Sequence, residues 1–202
     1  MPAAAAAGAA AERTPTRDRI LFAAAELFRR QGYTGTGVKQ IVAEAEAPLG
    51  SLYHFYPGGK EQLAAEVIGT AGPFFVALVT ASVEPEEDPV GWAEAFFRGA
   101  GETLAAGGYA DACPISTMTM EIASSNERLR LAAAAAFTLW VDGIAAELRS
   151  RGVPADRCPE LAESMLASLE GGFVLSRARR TTTALDAAGA TAALAVRAAL
   201  EA

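Results

Sequence analysis

Apolar residues along this chain recur at helical spacing, and no stretch reads as a convincing strand. Ile20, Ala24, Leu27 and Phe28 fall at i, i+4, i+7 and i+8, one face of a helix that Thr16 would cap and Gly32 would end. Arg29 and Arg30 lie in its last turn, where the helix dipole favours cations. After Tyr33-Thr34-Gly35, Thr36 is the expected cap of a second helix with Val38, Ile41, Val42 and Ala45 on its apolar face. Glu46-Ala47-Pro48 then leads into a short third helix over 49–56. There Leu49, Leu52 and Tyr56 can face inward, leaving Gly50, Ser51, His54 and, at the edge, Tyr53 outward. Two short helices joined by a three-residue turn form a helix-turn-helix, whose second helix enters the major groove of DNA.

Pro57-Gly58-Gly59 breaks the pattern, and a fourth helix opens at Lys60 and runs through Leu63, Val67 and Ile68, with an interruption expected at Gly72-Pro73. An acidic loop over 84–89 follows. Further helices are predicted over 90–106, 114–124, 126–151, 159–180 and 183–201. The fold class is therefore all-α with about nine helices: an Ala-rich tail at 1–15, a helix-turn-helix domain at 16–60 and a helical domain at 61–202.

Composition sharpens this picture. Ala fills 48 of 202 positions and is the best helix former. The net charge of −7 makes the whole-molecule field repulsive to nucleic acid, so DNA binding would need a local patch. Such a patch is available. Segment 12–63 carries seven basic and six acidic residues, whereas the remainder carries ten and eighteen. Both lysines and the single histidine lie between 39 and 60. Cys113 and Cys158 are too few for a disulfide framework, and with His54 they give no metal-ligand spacing, so neither metal nor cofactor is expected. The first eleven residues lack the cationic and strongly apolar segments of a secretory signal. The longest apolar stretch, 71–83, is shorter than the ~20 residues that span a bilayer. A soluble, cytoplasmic protein without a membrane role is the expectation.

The chemistry-bearing residues concentrate in the same segment. Gly50 lets the helix backbone approach DNA closely; Ser51 and His54, three apart, share a face and can contact base edges or phosphates. The Tyr53 phenol, Lys39, Lys60 and the Thr36 hydroxyl suit phosphate oxygens. The ordered run Thr16-Arg17-Asp18-Arg19-Ile20-Leu21, Ala25-Glu26-Leu27-Phe28, Gly32-Tyr33, Ile41-Val42-Ala43-Glu44-Ala45 and Gly50-Ser51-Leu52-Tyr53-His54-Phe55-Tyr56 resembles the DNA-binding domain of the TetR family of bacterial transcriptional regulators. The resemblance implies a homodimer on a palindromic double-stranded operator, released when a small-molecule effector enters the C-terminal domain. It also implies DNA contacts from Thr36, Lys39, Ser51, Tyr53, His54 and Lys60. Two departures stand out: Glu46 occupies a turn position where the family usually has Gly, and Pro57-Gly58-Gly59-Lys60 is one residue longer than the commoner link. The longer link and Cys113-Pro114 resemble a branch often controlling drug-efflux genes.

For the effector, Phe74, Phe75, Trp92, Phe96, Phe97, Met118, Met120, Phe137 and Trp140 could line an apolar cavity, with polar contacts from Asp111, Thr117, Thr119 and Glu121; each aromatic taken singly reads as core. The acidic balance favours an apolar or cationic effector over an anion. Leu161, Met165, Leu169, Gly172, Phe173 and Leu194 on the last two helices are candidates for a four-helix dimer interface, the alternative being packing within the chain. No nucleophile elbow or phosphate loop is present, so an enzyme is not expected. The competing functional class is a helical small-molecule carrier with a vestigial helix-turn-helix.

Overall fold

In the computed structural model the described residues are 14–81, 88–110 and 113–202, with side chains described for all of these except 72–81 and 114. They form nine helices and no strand: α1 (Thr16–Gln31), α2 (Val38–Glu44), α3 (Leu49–Phe55), α4 (Gly59–Ala81), α5 (Pro89–Ala106), α6 (Pro114–Ile122), α7 (Glu127–Ser150), α8 (Cys158–Arg179) and α9 (Thr183–Leu200). The periodicity thus locates every helix to within a few residues. Three local expectations change. Thr16 is the first helical residue, behind Pro15, and makes no capping bond. Gly37, not Thr36, caps α2. α4 passes through Gly72-Pro73 as one helix.

Several helix starts use side chains as predicted by residue type. Asp88 accepts from the N–H groups of Val90 and Gly91 ahead of Pro89, and Asn126 accepts from Leu129 N–H. Cys113 Sγ takes the same part for α6, accepting from Ser116 N–H at 3.4 Å.

α2 and α3 have seven residues each, far below the length at which a helix holds in water. They persist because α1 and α4 supply a floor: Ile20, Phe28, Ile41, Leu52, Tyr56 and Leu63 are all fully buried. Each such side chain contributes ~1.5–3 kcal/mol of transfer free energy. Leu49, expected inward, is 43% exposed; the inward face of α3 rests on fully buried Leu52 and partly buried Phe55, with Tyr56 just beyond its end.

α4 packs on both α1 and α7, and α6 on both α1 and α7, so these two helices join the N-terminal unit to the rest. Beyond them, α5 lies along α9, α9 along α8, and α8 along α7. Small residues set these approaches. A Cβ on Gly189 would sit 3.0 Å from Phe97 Cβ, and one on Gly172 would sit 2.6 Å from Leu185 Cδ2. This corrects the expected dimer surface: Leu161, Met165, Leu169 and Gly172 are buried inside the protomer, and Phe173 packs against the same core. Leu194, 64% exposed, is the one candidate free of that packing.

The expected aromatic cavity also dissolves into core. Trp92, Phe97 and Met118 are fully buried, Phe96 and Trp140 nearly so, and Trp92 stacks on Phe96 at 5.6 Å while Phe96 meets Phe97 edge-on. Met120, at 84% exposure, points away from it. The side chains of Phe74 and Phe75, and Asp111 as a whole, lie outside the described residues. Thr117 and Thr119 spend their hydroxyls on the carbonyls of Cys113 and Ile115. Among the candidates with described side chains, Phe137, half-buried, lines an open groove between α7 and α8.

By length and composition α7 and α9 could each cross a membrane, yet here α7 is packed by α4, α6 and α8 and α9 by α5 and α8. Replacing Phe97 with Ala should lower unfolding free energy by ~3–5 kcal/mol, as for a large core aromatic. Met120→Ala should change it by less than ~0.5 kcal/mol. Urea denaturation checks both, and comparable losses at the two positions would contradict this core.

Candidate nucleic-acid interface

The turn between α2 and α3 decides how the second helix is presented. Ala47 N–H donates to Val42 O at 2.9 Å and Glu46 N–H to Ala43 O at 3.1 Å, which forces Glu46 to φ +48°. A residue with a Cβ pays about 1–2 kcal/mol for this left-handed region. Arg19 of α1 clamps the turn from outside: its guanidinium donates to Ala45 O at 3.0 Å, Glu46 O at 3.1 Å and Thr14 O at 3.2 Å. The sequence pattern offered no sign of this role, because an Arg near a helix start is usually solvated.

Over this brace α3 presents a polar, sterically open face. A Cβ on Gly50 would meet nothing within 4 Å, Tyr53 is 51% exposed, His54 is exposed and Ser51 half-buried. The His54 ring lies edge-on to Phe55 at 4.9 Å. On α2, Lys39 is exposed. The link after α3 closes tightly, with Gly59 N–H donating to Tyr56 O at 2.8 Å and Gly59 at φ +63°, a conformation that glycine takes without strain. The extra residue of this link is thus absorbed in a turn that carries Tyr53 Cε1 3.5 Å from a Cβ at Gly59.

Two of the expected DNA contacts are instead internal. Thr36 is 1% exposed and donates its hydroxyl to Gly32 O at 2.7 Å. Lys60 Nζ donates to Tyr33 O at 3.1 Å and Thr36 O at 3.0 Å and lies 4.2 Å from the centre of the Tyr33 ring. Both side chains fix the α1–α2 loop against the start of α4. Their type suited phosphate contact, but the loop carbonyls, which have no helix or sheet partner, reach them first. The arginines of α1 are also engaged: Arg17 pairs with Glu66 at 2.5 Å, and Arg29 and Arg30 pair with Glu26. The hydrogen bond from Arg29 holds the Glu26 carboxyl below the usual carboxylate range, against the opposing effect of burial.

The same loop receives a contact from the other end of the molecule. Glu121, near the end of α6, accepts from Thr34 N–H at 2.8 Å. Its carboxylate sits where a side chain on Gly32 would be: a Cβ there would fall 1.7 Å from Oε1, and Gly32 has φ +76°. Glu121 therefore belongs to the junction between the two parts, not to a pocket. At the opposite end of α6, Cys113 and Ser116 lie beside Glu170 of α8. Burial, and then the Glu170 charge, push the Cys113 thiol up to about 12, which leaves it protonated and unreactive at neutral pH. Cys158 is likewise raised by burial.

Comparison with known proteins agrees with this geometry. Residues 20–67 match the family described as bacterial regulatory proteins, tetR family, and residues 89–191 match the C-terminal domain of LmrA/YxaF-like transcriptional regulators. The chain is 34% identical over 170 residues to the HTH-type transcriptional regulator LmrA of Bacillus subtilis, covering 84% of this chain and 90% of that one. It is 33% identical over 175 residues to an uncharacterised HTH-type transcriptional regulator of Mycobacterium tuberculosis, covering 84% and 88%. Among solved structures, a regulatory protein TetR from Rhodobacter sphaeroides superposes with a TM-score of 0.78 at 22% identity over 90% of this chain and 99% of that one. The reduced form of Escherichia coli NemR gives 0.77 at 18% identity over 88% and 94%.

Two variants test the assignments around the loop and the turn. Lys60→Met removes charge-assisted bonds to two carbonyls and should lower stability by ~1.5–3 kcal/mol. Glu46→Gly relieves the left-handed backbone but frees the unfolded chain, for a net gain of at most ~1 kcal/mol. Thermal or urea melts read both; a destabilised Glu46→Gly protein would show that the φ +48° backbone carries no strain.

Proposed function

Because the chain belongs to the TetR family of bacterial transcriptional regulators, we propose that it acts as a cytoplasmic homodimeric repressor that leaves a palindromic operator when a small molecule binds its C-terminal part. The observation that carries the DNA side of this reading is the open face of α3 over fully buried Leu52 and Tyr56, in a segment that is not acidic and holds both lysines and the histidine. On this reading Gly50 gives the backbone close access to the groove, Ser51 and His54 read base edges, and Tyr53 and Lys39 bind phosphates. Lys60 and Thr36 act at one remove, by holding the loop that orients α2. The residues before α4 form the reading head and those from α4 onward the dimerisation and effector part.

A palindrome reader needs two copies of α3 about one DNA turn apart, ~34 Å. The surface that supports pairing is the outward side of the last two helices, where Val174 is 58%, Leu175 45% and Leu194 64% exposed. Exposed apolar side chains of this size on neighbouring helices suit a four-helix interface with a second copy. Effector response is supported by α6, which touches Glu170 surroundings at one end and the Thr34 backbone at the other. A ligand that shifts α6 acts on the loop in front of the reading head; couplings of this kind amount to ~1–3 kcal/mol, and DNA must weaken the ligand by the same factor.

Fluorescence anisotropy with duplex DNA from upstream of the protein's own gene is the direct test. Specific binding with a steep salt dependence is expected, and no binding at any salt would return the chain to the carrier class. Lys39→Ala should weaken binding to all sequences and reduce the salt slope by about 1. Substitution of Ser51 or His54 should instead change which half-site is preferred. Leu194→Arg should give monomers in sedimentation and abolish operator binding without unfolding the protomer; a dimer that survives it places the interface elsewhere.

A further inference from the structure

The groove between α7 and α8 has a cavity volume of about 420 Å³, within the ~300–1,000 Å³ of small-molecule sites. Phe137, Thr138 and Val141 form one wall and Glu163, Leu166 and Glu170 the other. These are i, i+1, i+4 and i, i+3, i+7 positions, so each wall is a continuous strip along its helix. The Phe137 ring is held edge-on against Trp140 at 5.5 Å, which fixes its orientation. Every charged residue in the lining is a carboxylate, and no Lys, Arg or His balances them there.

Glu170 is the unusual member. Its Oε1 is buried and accepts no hydrogen bond among the described residues. Burial raises its carboxyl above the ordinary range, and the neighbouring Ser116 and Cys113 only partly oppose this. Cys113, held protonated, donates only a weak S–H hydrogen bond to this carboxyl and, like Ser116, brings no positive charge. One oxygen of this carboxylate therefore lacks a donor while the charge has no cation beside it, a deficit that a bound partner would remove. Glu163 stands at the exposed rim, where it adds attraction without that desolvation. Among the described residues no third acidic, thiol or imidazole ligand joins them in a metal-holding group, so the groove is built for an organic partner.

We propose that this groove is the effector site and takes an organic monocation, an ammonium carrying an aromatic or branched apolar body, with Glu170 as its counter-ion. The assignment rests on the ligand-responsive reading above and names the chemistry of that ligand. The apolar body lies along Val141 and Leu166, and the ammonium sits between the Glu170 carboxylate and the Phe137 ring, an arrangement that aromatic faces favour for quaternary cations. An anionic ligand would face two carboxylates, and a neutral one could at most donate a hydrogen bond to Glu170 Oε1, leaving the charge uncompensated.

Calorimetric titration of the full chain with benzyltriethylammonium, phenylacetate and 4-phenylbutanol tests this. The cation should bind at least tenfold more tightly than either of the others. Glu170→Gln should weaken the cation at least tenfold while raising the thermal midpoint of the ligand-free protein, because a buried charge is removed. Thr138→Arg, on an exposed part of the groove wall, places a guanidinium beside the carboxylates and should weaken the cation as strongly; circular dichroism checks its fold. Equal affinity in wild type and Glu170→Gln, preference for phenylacetate, or no heat with millimolar cation would overturn the assignment. Anisotropy of the wild type on DNA separates the two claims. DNA binding without cation binding sinks the groove assignment alone; absence of DNA binding sinks the regulator reading, and the calorimetry decides the groove in either case.

Discussion

Two helices of seven residues cannot hold themselves together in water, and the helix-turn-helix of this protein is made of such a pair. Everything near them serves to supply the missing stability. Leu52 and Tyr56 are fully buried, α3 packs on α1 and α2, Arg19 ties the turn carbonyls, and Lys60 and Thr36 bind the carbonyls of the preceding loop. The polar face of α3 can be small and open because none of its exposed residues is needed to keep it folded. One short helix thus keeps a buried side against its neighbours and an open polar side.

The same division explains how a strongly acidic chain belongs to a family of DNA-binding regulators. Most cations in the N-terminal segment are already committed to internal partners, including Arg17 to Glu66 and Arg29 and Arg30 to Glu26. Surface pairs of this kind contribute little to stability, roughly 0–1 kcal/mol each, but they remove competing positive charge from the sides of the reading head. Lys39 on α2 is left exposed beside the open face of α3. The junction is equally economical in length: nine residues of α6 span from the surroundings of Glu170 to the Thr34 backbone.

Much of the architecture was legible because it depends on local chemistry. Apolar residues spaced for one helical face locate all nine helices of the described residues, and Gly, Pro, Asp and Asn mark most of their ends. The helix-turn-helix was visible for the same reason, including Glu46 at a turn position suited to Gly, which indeed has φ +48°. What periodicity cannot show is which partner an apolar face meets. Trp92, Phe96, Phe97, Met118 and Trp140 look alike whether they line a cavity or fill it, and here they fill it. Gly172 could admit a second protomer or a helix of the same chain, and Leu185 occupies the space. Glu170 carried one faint sign, a carboxylate beside the apolar stripe of Leu166, Leu169 and Phe173.

The amino-acid sequence alone determined the helices, the short helix pair with its polar outer face, and the confinement of lysine and histidine to that region, since these depend on neighbours three or four residues away. Tertiary structure alone decided that Lys60 and Thr36 turn inward, that Glu121 joins α6 to the loop before α2, and that Glu170 lines an open groove with one oxygen buried. Apart from the Thr36 bond to Gly32 O, four residues back, those outcomes depend on which carbonyl, helix or cavity arrives from distant parts of the chain, and no local pattern encodes the partner that closes the contact.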